Sequence, residues 1–351
     1  MKGFGLIGNN VVGWMEKSIP EIGPMDALLR PIAVAPCSSD THMSHMSPAT
    51  DLILGHEAVG EVVKVGELVK NFKPGDICVV PCCTPDWTAQ DMQRKGGNNA
   101  HDEGPMKSFK FLGSKDGVFA EYFTVNQADA NLVLKPENVS VEDALMTTDM
   151  MSTGFYGAEM ANIQIGDTVV VFGIGPVGLM AVAGAKCLGA GKIIAVGTRP
   201  NCAELAKEYG ASHIVSYKDG DLVQQILAIN GGQVDSVIIA GGTADTMLQA
   251  LALTKNNGTI SNINFFDASE TFTIPTYMWG LGMSDVTIRG GFCPGGAYRI
   301  KKLLNMIANG RVQPGKLLNY KYEGFDKIPE AFDVMDKKPR DLIKPVIHIK
   351  W

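Results

Sequence analysis

The run Val170-Val171-Phe172-Gly173-Ile174-Gly175-Pro176-Val177-Gly178 constrains this chain more than any other stretch. Branched and aromatic residues read as a buried strand, and the glycines break it at a spacing that leads into a helix. From there on, apolar strands alternate with amphipathic helices. The pattern predicts strands over Thr168–Phe172, Lys192–Val196, 213–217, 234–240, 259–264 and 286–290. It predicts helices over Pro176–Leu188, 202–209, 221–229 and 244–253. Six apolar strands joined by helical crossovers imply an α/β fold with a doubly wound parallel sheet.

The rest of the chain has a different texture. Residues 1–150 carry short β-like runs, such as Glu61-Val62-Val63-Lys64-Val65 and Ile77-Cys78-Val79-Val80. Lys73-Pro74-Gly75-Asp76 supplies the turn before the second. Residues 84–116 are polar and irregular and read as a surface lobe or long loop. A helix over 298–308 follows the sheet, and a strand over 346–349 is expected to return to the first domain. With 351 residues, the chain exceeds what one core usually serves. We expect residues 1–150 and 293–351 to form one domain and 151–292 the other.

Composition narrows the function. Apolar residues make up 45% and charged residues 19%, which excludes a disordered chain. The net charge of -6, with no long basic run, argues against a nucleic-acid binder. The seven cysteines suit a reducing compartment better than a disulfide scaffold. The N-terminus has no signal-like apolar region with a cleavage site. The apolar span 169–185 is interrupted by Pro176 and four glycines, so strand, turn and packed helix explain it better than a membrane crossing. The reading is a soluble, cytoplasmic protein.

The glycine loop points to a dinucleotide. Gly173 makes the tight turn, Gly175 lets a pyrophosphate approach the backbone, and Gly178 lets the helix pack on the sheet. Pro176 and Val177 open the helix, whose N-terminus attracts negative charge. The bland alternative is a glycine turn that serves close packing only. The second strand ends Val196-Gly197-Thr198-Arg199. An NAD-preferring site usually places Asp or Glu there to hold the ribose 2′-hydroxyl. Room at Gly197, the Thr198 hydroxyl and the Arg199 guanidinium suit a 2′-phosphate instead. Arg199 could also be a solvated residue at a helix start.

Cys37, His56 and Asp149 form no compact metal motif. Taken singly, they read as a buried thiol, a hydrogen-bonded core histidine and a helix cap. Together, a thiolate, an imidazole and a carboxylate can fill three positions of a tetrahedral zinc and leave the fourth open. The thiolate and carboxylate also cancel the 2+ charge.

The segments Cys37-Ser38-Ser39-Asp40-Thr41-His42, Gly55-His56-Glu57-Ala58-Val59-Gly60, Thr84-Pro85-Asp86-Trp87, Asp149-Met150-Met151-Ser152-Thr153-Gly154-Phe155 and the glycine loop resemble the zinc-dependent medium-chain alcohol dehydrogenases. More narrowly, they resemble the NADP-dependent secondary alcohol dehydrogenases of anaerobic bacteria and protists. The resemblance runs the whole chain, to Lys338-Pro339-Arg340-Asp341-Leu342-Ile343-Lys344-Pro345. It implies a GroES-like β-rich catalytic domain around a Rossmann domain, usually in a homotetramer. It implies zinc on Cys37, His56 and Asp149, with Glu57 as an exchangeable ligand and Ser39 and His42 as a proton relay. NADP(H) would lie on the glycine loop. Gly197, Thr198, Arg199 and Tyr217, joined by Lys338, would surround its 2′-phosphate, with Asn264 and Phe265 beside the cofactor. Ser39, Cys82, Phe109 and Phe292 would line a pocket for a small secondary alcohol or methyl ketone, with Cys293 nearby.

The chain departs from that pattern in places. The loop 43–51 looks shorter than in relatives. Phe109 stands where the subgroup tends to have Trp, and Phe265 where it tends to have Tyr. Many family members hold a structural zinc on four cysteines in the 84–116 lobe; this chain has none there, only Cys82 and Cys83 just before it. One catalytic zinc and no structural zinc are therefore expected. His42-Met43-Ser44-His45-Met46 suits soft metals, but a relay histidine with incidental neighbours explains it more simply. The rival readings are an NAD-linked polyol or threonine-type dehydrogenase, a zinc-free quinone reductase, and a non-catalytic NADPH-binding structural protein.

Overall fold

The computed structural model describes residues 1–46, 50–94, 106–267 and 269–351. Parts of the expected short loop (47–49) and of the polar lobe (95–105) lie outside the described residues. The chain divides into two compact units: Met1–Ser152 with Cys293–Trp351, and Thr153–Phe292.

The second unit is built on six parallel strands. In space they run His213–Val215, Lys192–Val196, Thr168–Phe172, Val234–Ile239, Thr254–Asn262, Thr287–Gly290. Counted along the chain, that is third, second, first, fourth, fifth, sixth, the order of a Rossmann sheet. Val170, Ile194, Val237 and Ile260 are buried at its centre, so strands covered on both faces read as continuous apolar runs. The first two strands and the helix Pro176–Leu188 match the expected bounds.

Val234–Ile239 and Thr287–Gly290 each differ from expectation by one residue; two other strands differ by more, each for a local reason. The fifth begins at Thr254, because the helix Asp245–Leu253 runs into it with no loop; Thr254 Oγ1 donates to Ala250 O at 2.7 Å. The third stops at Val215, because Ser216 starts a turn. Asp219 N donates to Ser216 O at 3.2 Å and Lys218 N to Ser216 Oγ at 3.1 Å. Tyr217 therefore sits in a turn at the strand end.

The glycine loop follows the first strand directly. Gly173 has φ +82°, and a Cβ there would stand 2.8 Å from the backbone of Gly241. A Cβ on Gly178 would collide with Gly173 O. The contact lies between two backbones, so no side chain can swing aside to relieve it.

The other unit is a β-rich body. Its main sheet runs Leu318–Glu323, Lys344–His348, Ala27–Val34, Ala58–Val65, Ile77–Val80, Val133–Leu134, and Phe123–Val125 also pairs with Ala27–Val34. The expected C-terminal strand thus returns to the first unit, where His348 opposes Ala33. A smaller antiparallel sheet holds Val11–Glu16, Lys2–Gly8 and Leu52–Ile53. Leu29, Val62, Phe111, Phe119 and Phe123 fill the core. The polar lobe is less irregular than expected: it contains the helix Gln90–Arg94 and the 3₁₀ turn Lys110–Leu112. Phe111 and Leu112 anchor that turn in the core. No described helix is long and apolar enough to cross a membrane.

Gly178→Ala should force the helix Pro176–Leu188 off the sheet. Overpacking of this kind costs about 1–3 kcal/mol. Thermal unfolding should begin at lower temperature than in the unaltered chain, and an unchanged melting curve would show that the helix start has slack.

Candidate metal centre and nucleotide cradle

The candidate metal centre is assembled from the ends of three structural elements. Cys37 lies between the strand Ala27–Val34 and the helix Ser38–Met46. His56 and Glu57 immediately precede the strand Ala58–Val65. Asp149 immediately precedes the helix Met150–Met160. Gly55, at φ +92°, turns the chain into His56 while packed against the Phe119 ring, where a Cβ would clash.

Ligand atoms of Cys37, His56, Glu57 and Asp149 all lie within 4.8 Å of one another, and all four residues are buried. Asp149 Oδ2 is 3.8 Å from Cys37 Sγ and 3.4 Å from His56 Nε2. The expected set thus converges. His56 Nε2 and Glu57 Oε2 are buried and make no hydrogen bond among the described residues. Burying such groups without partners costs free energy unless something satisfies them. Electrostatics supports a cation. Burial alone would lower the His56 pKa, but the Asp40 and Asp149 carboxylates outweigh it and hold the imidazole well above its usual range. A zinc ion fits these donors: thiolate, imidazole and carboxylate are its usual ligands, and the converged set supplies the negative charge it needs.

Two residues act here to which the sequence reading assigned no role. Asp40 is fully buried and accepts from Cys37 N at 2.8 Å, Gly55 N at 3.0 Å and His56 Nδ1 at 3.0 Å. With the Nδ1 proton held by Asp40, Nε2 is the ring nitrogen left to give its lone pair to a metal ion in place of a proton. Lys344 is also fully buried, and its Nζ donates to Glu57 Oε1 at 2.8 Å and Pro36 O at 3.0 Å. Burial pushes the Glu57 carboxyl up to about 7, against the pull of Lys344. A carboxylate three residues after Cys37 was the available clue to Asp40. Nothing local marked Lys344.

The other expected residues take the following places. Ser39 and His42 are three apart on one helix, and Ser39 Oγ lies 3.8 Å from Cys37 Sγ. His42 is exposed; partial burial and then the Lys338 charge lower its pKa, favouring neutral imidazole. The Phe109 ring meets His56 edge-on, with centroids 4.9 Å apart. Cys82 is buried beside Asp149. Phe292 is the last residue of the nucleotide unit.

In that unit, Gly197, Thr198 and Arg199 follow the second strand. Thr198 Oγ1 donates to Tyr217 Oη at 3.0 Å. A Cβ on Gly175 would come 3.5 Å from Arg199 Nη2, so the guanidinium reaches over the glycine loop. Gly197 packs on the Ile174 side chain, and a Cβ there would clash. Asn264 Nδ2 donates to Gly242 O at 3.3 Å, and Phe265 is exposed. Lys338 belongs to the other unit, in left-handed conformation at the end of the helix Ile328–Lys337.

Comparison with known proteins agrees with this geometry. Residues 23–137 match the alcohol dehydrogenase GroES-like domain, and 176–309 match the zinc-binding dehydrogenase family. The chain is 52% identical to the NADP-dependent isopropanol dehydrogenase of Thermoanaerobacter brockii, with 99% of each covered. It is 50% identical to that of Entamoeba histolytica, with 100% of this chain and 96% of the relative covered. The solved alcohol dehydrogenase from Thermus sp. ATN1 is 29% identical, superposes with a TM-score of 0.87, and is covered in full. Together with the donor set and the Rossmann strand order, this identity along the whole chain places the protein in the zinc-dependent medium-chain alcohol dehydrogenase family.

Proposed function

We propose that this protein is an NADP-dependent dehydrogenase of small secondary alcohols and methyl ketones, with 2-propanol and acetone as the type pair. It works with one zinc on Cys37, His56 and Asp149 and carries no structural zinc. The observation that carries the reading is the buried, hydrogen-bond-deficient His56 Nε2 facing Cys37 and Asp149, in a chain about half identical to proteins named isopropanol dehydrogenases. When bound, zinc supplies a Lewis acid that lowers the pKa of an alcohol, and NADP supplies the hydride acceptor.

The chain's own residues do the rest. Asp40 holds His56 in one tautomer, and Lys344 keeps Glu57 poised as an alternative ligand. Ser39 takes the alcohol proton, and His42, near solvent, passes it outward. Gly173, Gly175, Pro176, Val177 and Gly178 hold the pyrophosphate. Arg199, Thr198 and Tyr217 hold the 2′-phosphate, with Asn264 and Phe265 completing the cradle; Gly197 is needed for the close packing on Ile174. Ser39, Cys82 and Phe109 line the alcohol pocket with small or apolar groups.

A polyol dehydrogenase is the second reading. The chain is 31% identical to the sorbitol dehydrogenase of Bacillus subtilis over 91% of its length. Apolar Cys82 and Phe109 leave the hydroxyls of a polyol unpaired, which disfavours it. Homotetramer assembly is our reading for the exposed Tyr277, Leu281 and Met283 and the wholly exposed edge strand Thr287–Gly290. A cytoplasmic site is our reading for seven cysteines that form no disulfide.

Purified protein should retain one zinc per chain through gel filtration. Asp149→Asn should lose most activity and most zinc, since an amide is a poor ligand. Elemental analysis that finds no zinc, or two equally tight ions, would remove this assignment.

Arg199→Ala should raise KM for NADP far more than for NAD. One charge-assisted bond is worth ~1.5–3 kcal/mol, or roughly 10- to 150-fold. Equal effects on both cofactors would show that Arg199 does not meet the phosphate.

Substrate choice can be read from 2-propanol, 2-butanol, ethanol, sorbitol and threonine with NADP. A small apolar pocket discriminates by only ~1–3 kcal/mol per methylene, so activity should spread over 2-propanol and 2-butanol and fall with ethanol. Preference for sorbitol or threonine would sink the secondary-alcohol reading.

A further inference from the structure

Four thiols stand at or beside the metal centre, and the zinc reading uses only Cys37. Cys82, Cys83 and Cys293 are all buried. Cys82 Sγ lies 3.9 Å from Cys83 Sγ. Cys82 Sγ, Cys293 Sγ and a carboxylate oxygen of Asp149 lie within 4.8 Å of one another. The same Asp149 faces Cys37 and His56 through Oδ2. One carboxylate thus stands between two sulfur-containing donor groups.

We propose that Cys82, Cys293 and Asp149 form a second cation site for a thiophilic divalent ion such as zinc or cadmium, with Asp149 bridging it to the first centre. The proposal rests on the reading of Cys37, His56 and Asp149 as zinc ligands.

Donor chemistry and charge select the ion. Thiolates favour zinc, cadmium and monovalent copper over hard cations. Zinc–sulfur bonds of ~2.3 Å put two sulfurs on one tetrahedral ion about 3.8 Å apart, within reach of Cys82 and Cys293 by small side-chain movements. Cys37, Cys82, Cys293 and Asp149 would together offer four negative charges, which two divalent ions balance. Glu57 and Lys344 cancel each other at 2.8 Å. The Asp40 charge is taken up by its three N–H donors. A monovalent copper ion would leave one more buried negative charge uncompensated, which is costly. The second site has three protein donors, one of them shared, so it fills only from added cation. Sharing Asp149 between two ions weakens its hold on the first and slows turnover.

The test uses the full chain, with zinc first set at one ion per chain by elemental analysis. Cadmium is then added, with the ultraviolet thiolate-to-cadmium band and cadmium NMR reading its donors. One cadmium should bind per chain with the signature of two thiolates while zinc stays bound. Turnover should fall as the band rises and recover when a chelator removes the cadmium. Cys82→Ala and Cys293→Ala should each abolish the cadmium site, and Cys187→Ala, at an exposed thiol, should keep it. No additional ion, replacement of zinc ion for ion, a band that survives both alanine variants, or full turnover with cadmium bound would each overturn the proposal. Cadmium NMR of the unaltered chain decides the donor set even if the variants do not fold. A chain that takes up no zinc at the outset overturns the reading of the first centre instead, and does so before any cadmium is added.

Discussion

The Asp40 carboxylate is the contact on which the candidate metal centre depends. It joins the backbone of Cys37, the backbone of Gly55 and the imidazole of His56 at one fully buried point. Those three donors come from two segments, so Asp40 sets the distance between the Cys37 thiol and the His56 ring. Each donor left unsatisfied in that setting would cost ~1–3 kcal/mol. The same contact keeps a proton on Nδ1 and leaves Nε2 as the nitrogen that can meet a metal ion.

A second buried charge pair ties the centre to the far end of the chain. Lys344 and Glu57 are 287 residues apart in sequence and meet at 2.8 Å. Breaking such a pair by removing one partner typically costs ~3–5 kcal/mol, because the other charge stays buried. Lys344 opens the strand Lys344–His348, which the main sheet places between Leu318–Glu323 and Ala27–Val34. The C-terminal segment is therefore part of the metal centre's framework, and its late position in the chain makes this a long-range contact.

The nucleotide unit was the most legible part of the sequence. Its central strands are buried on both faces, so their apolar runs stand out, and the glycine spacing follows from backbone contacts that any such loop must make. Misjudged boundaries arose where hydrogen bonds beyond the apolar pattern decided the ends. Thr254 prolongs a strand that begins straight from a helix, and Ser216 cuts one short. In the other unit, the polar lobe read as irregular because its short turn is anchored by only Phe111 and Leu112, too few residues to show a period.

The sequence by itself determined the Rossmann order of elements, the glycine turn, the missing carboxylate at 197–199 and the residue types offered to a metal. These are local: they depend on periodicity, on glycine's lack of a Cβ and on the chemistry of single side chains. Only the tertiary structure decided that Cys37, His56, Glu57 and Asp149 share one buried point, that Asp40 and Lys344 support it, and that Cys82 and Cys293 stand beside it. Those relations come from strands that pair across long stretches of chain. No spacing along the sequence encodes such distances, because the sheet register that sets them emerges only when the whole core packs.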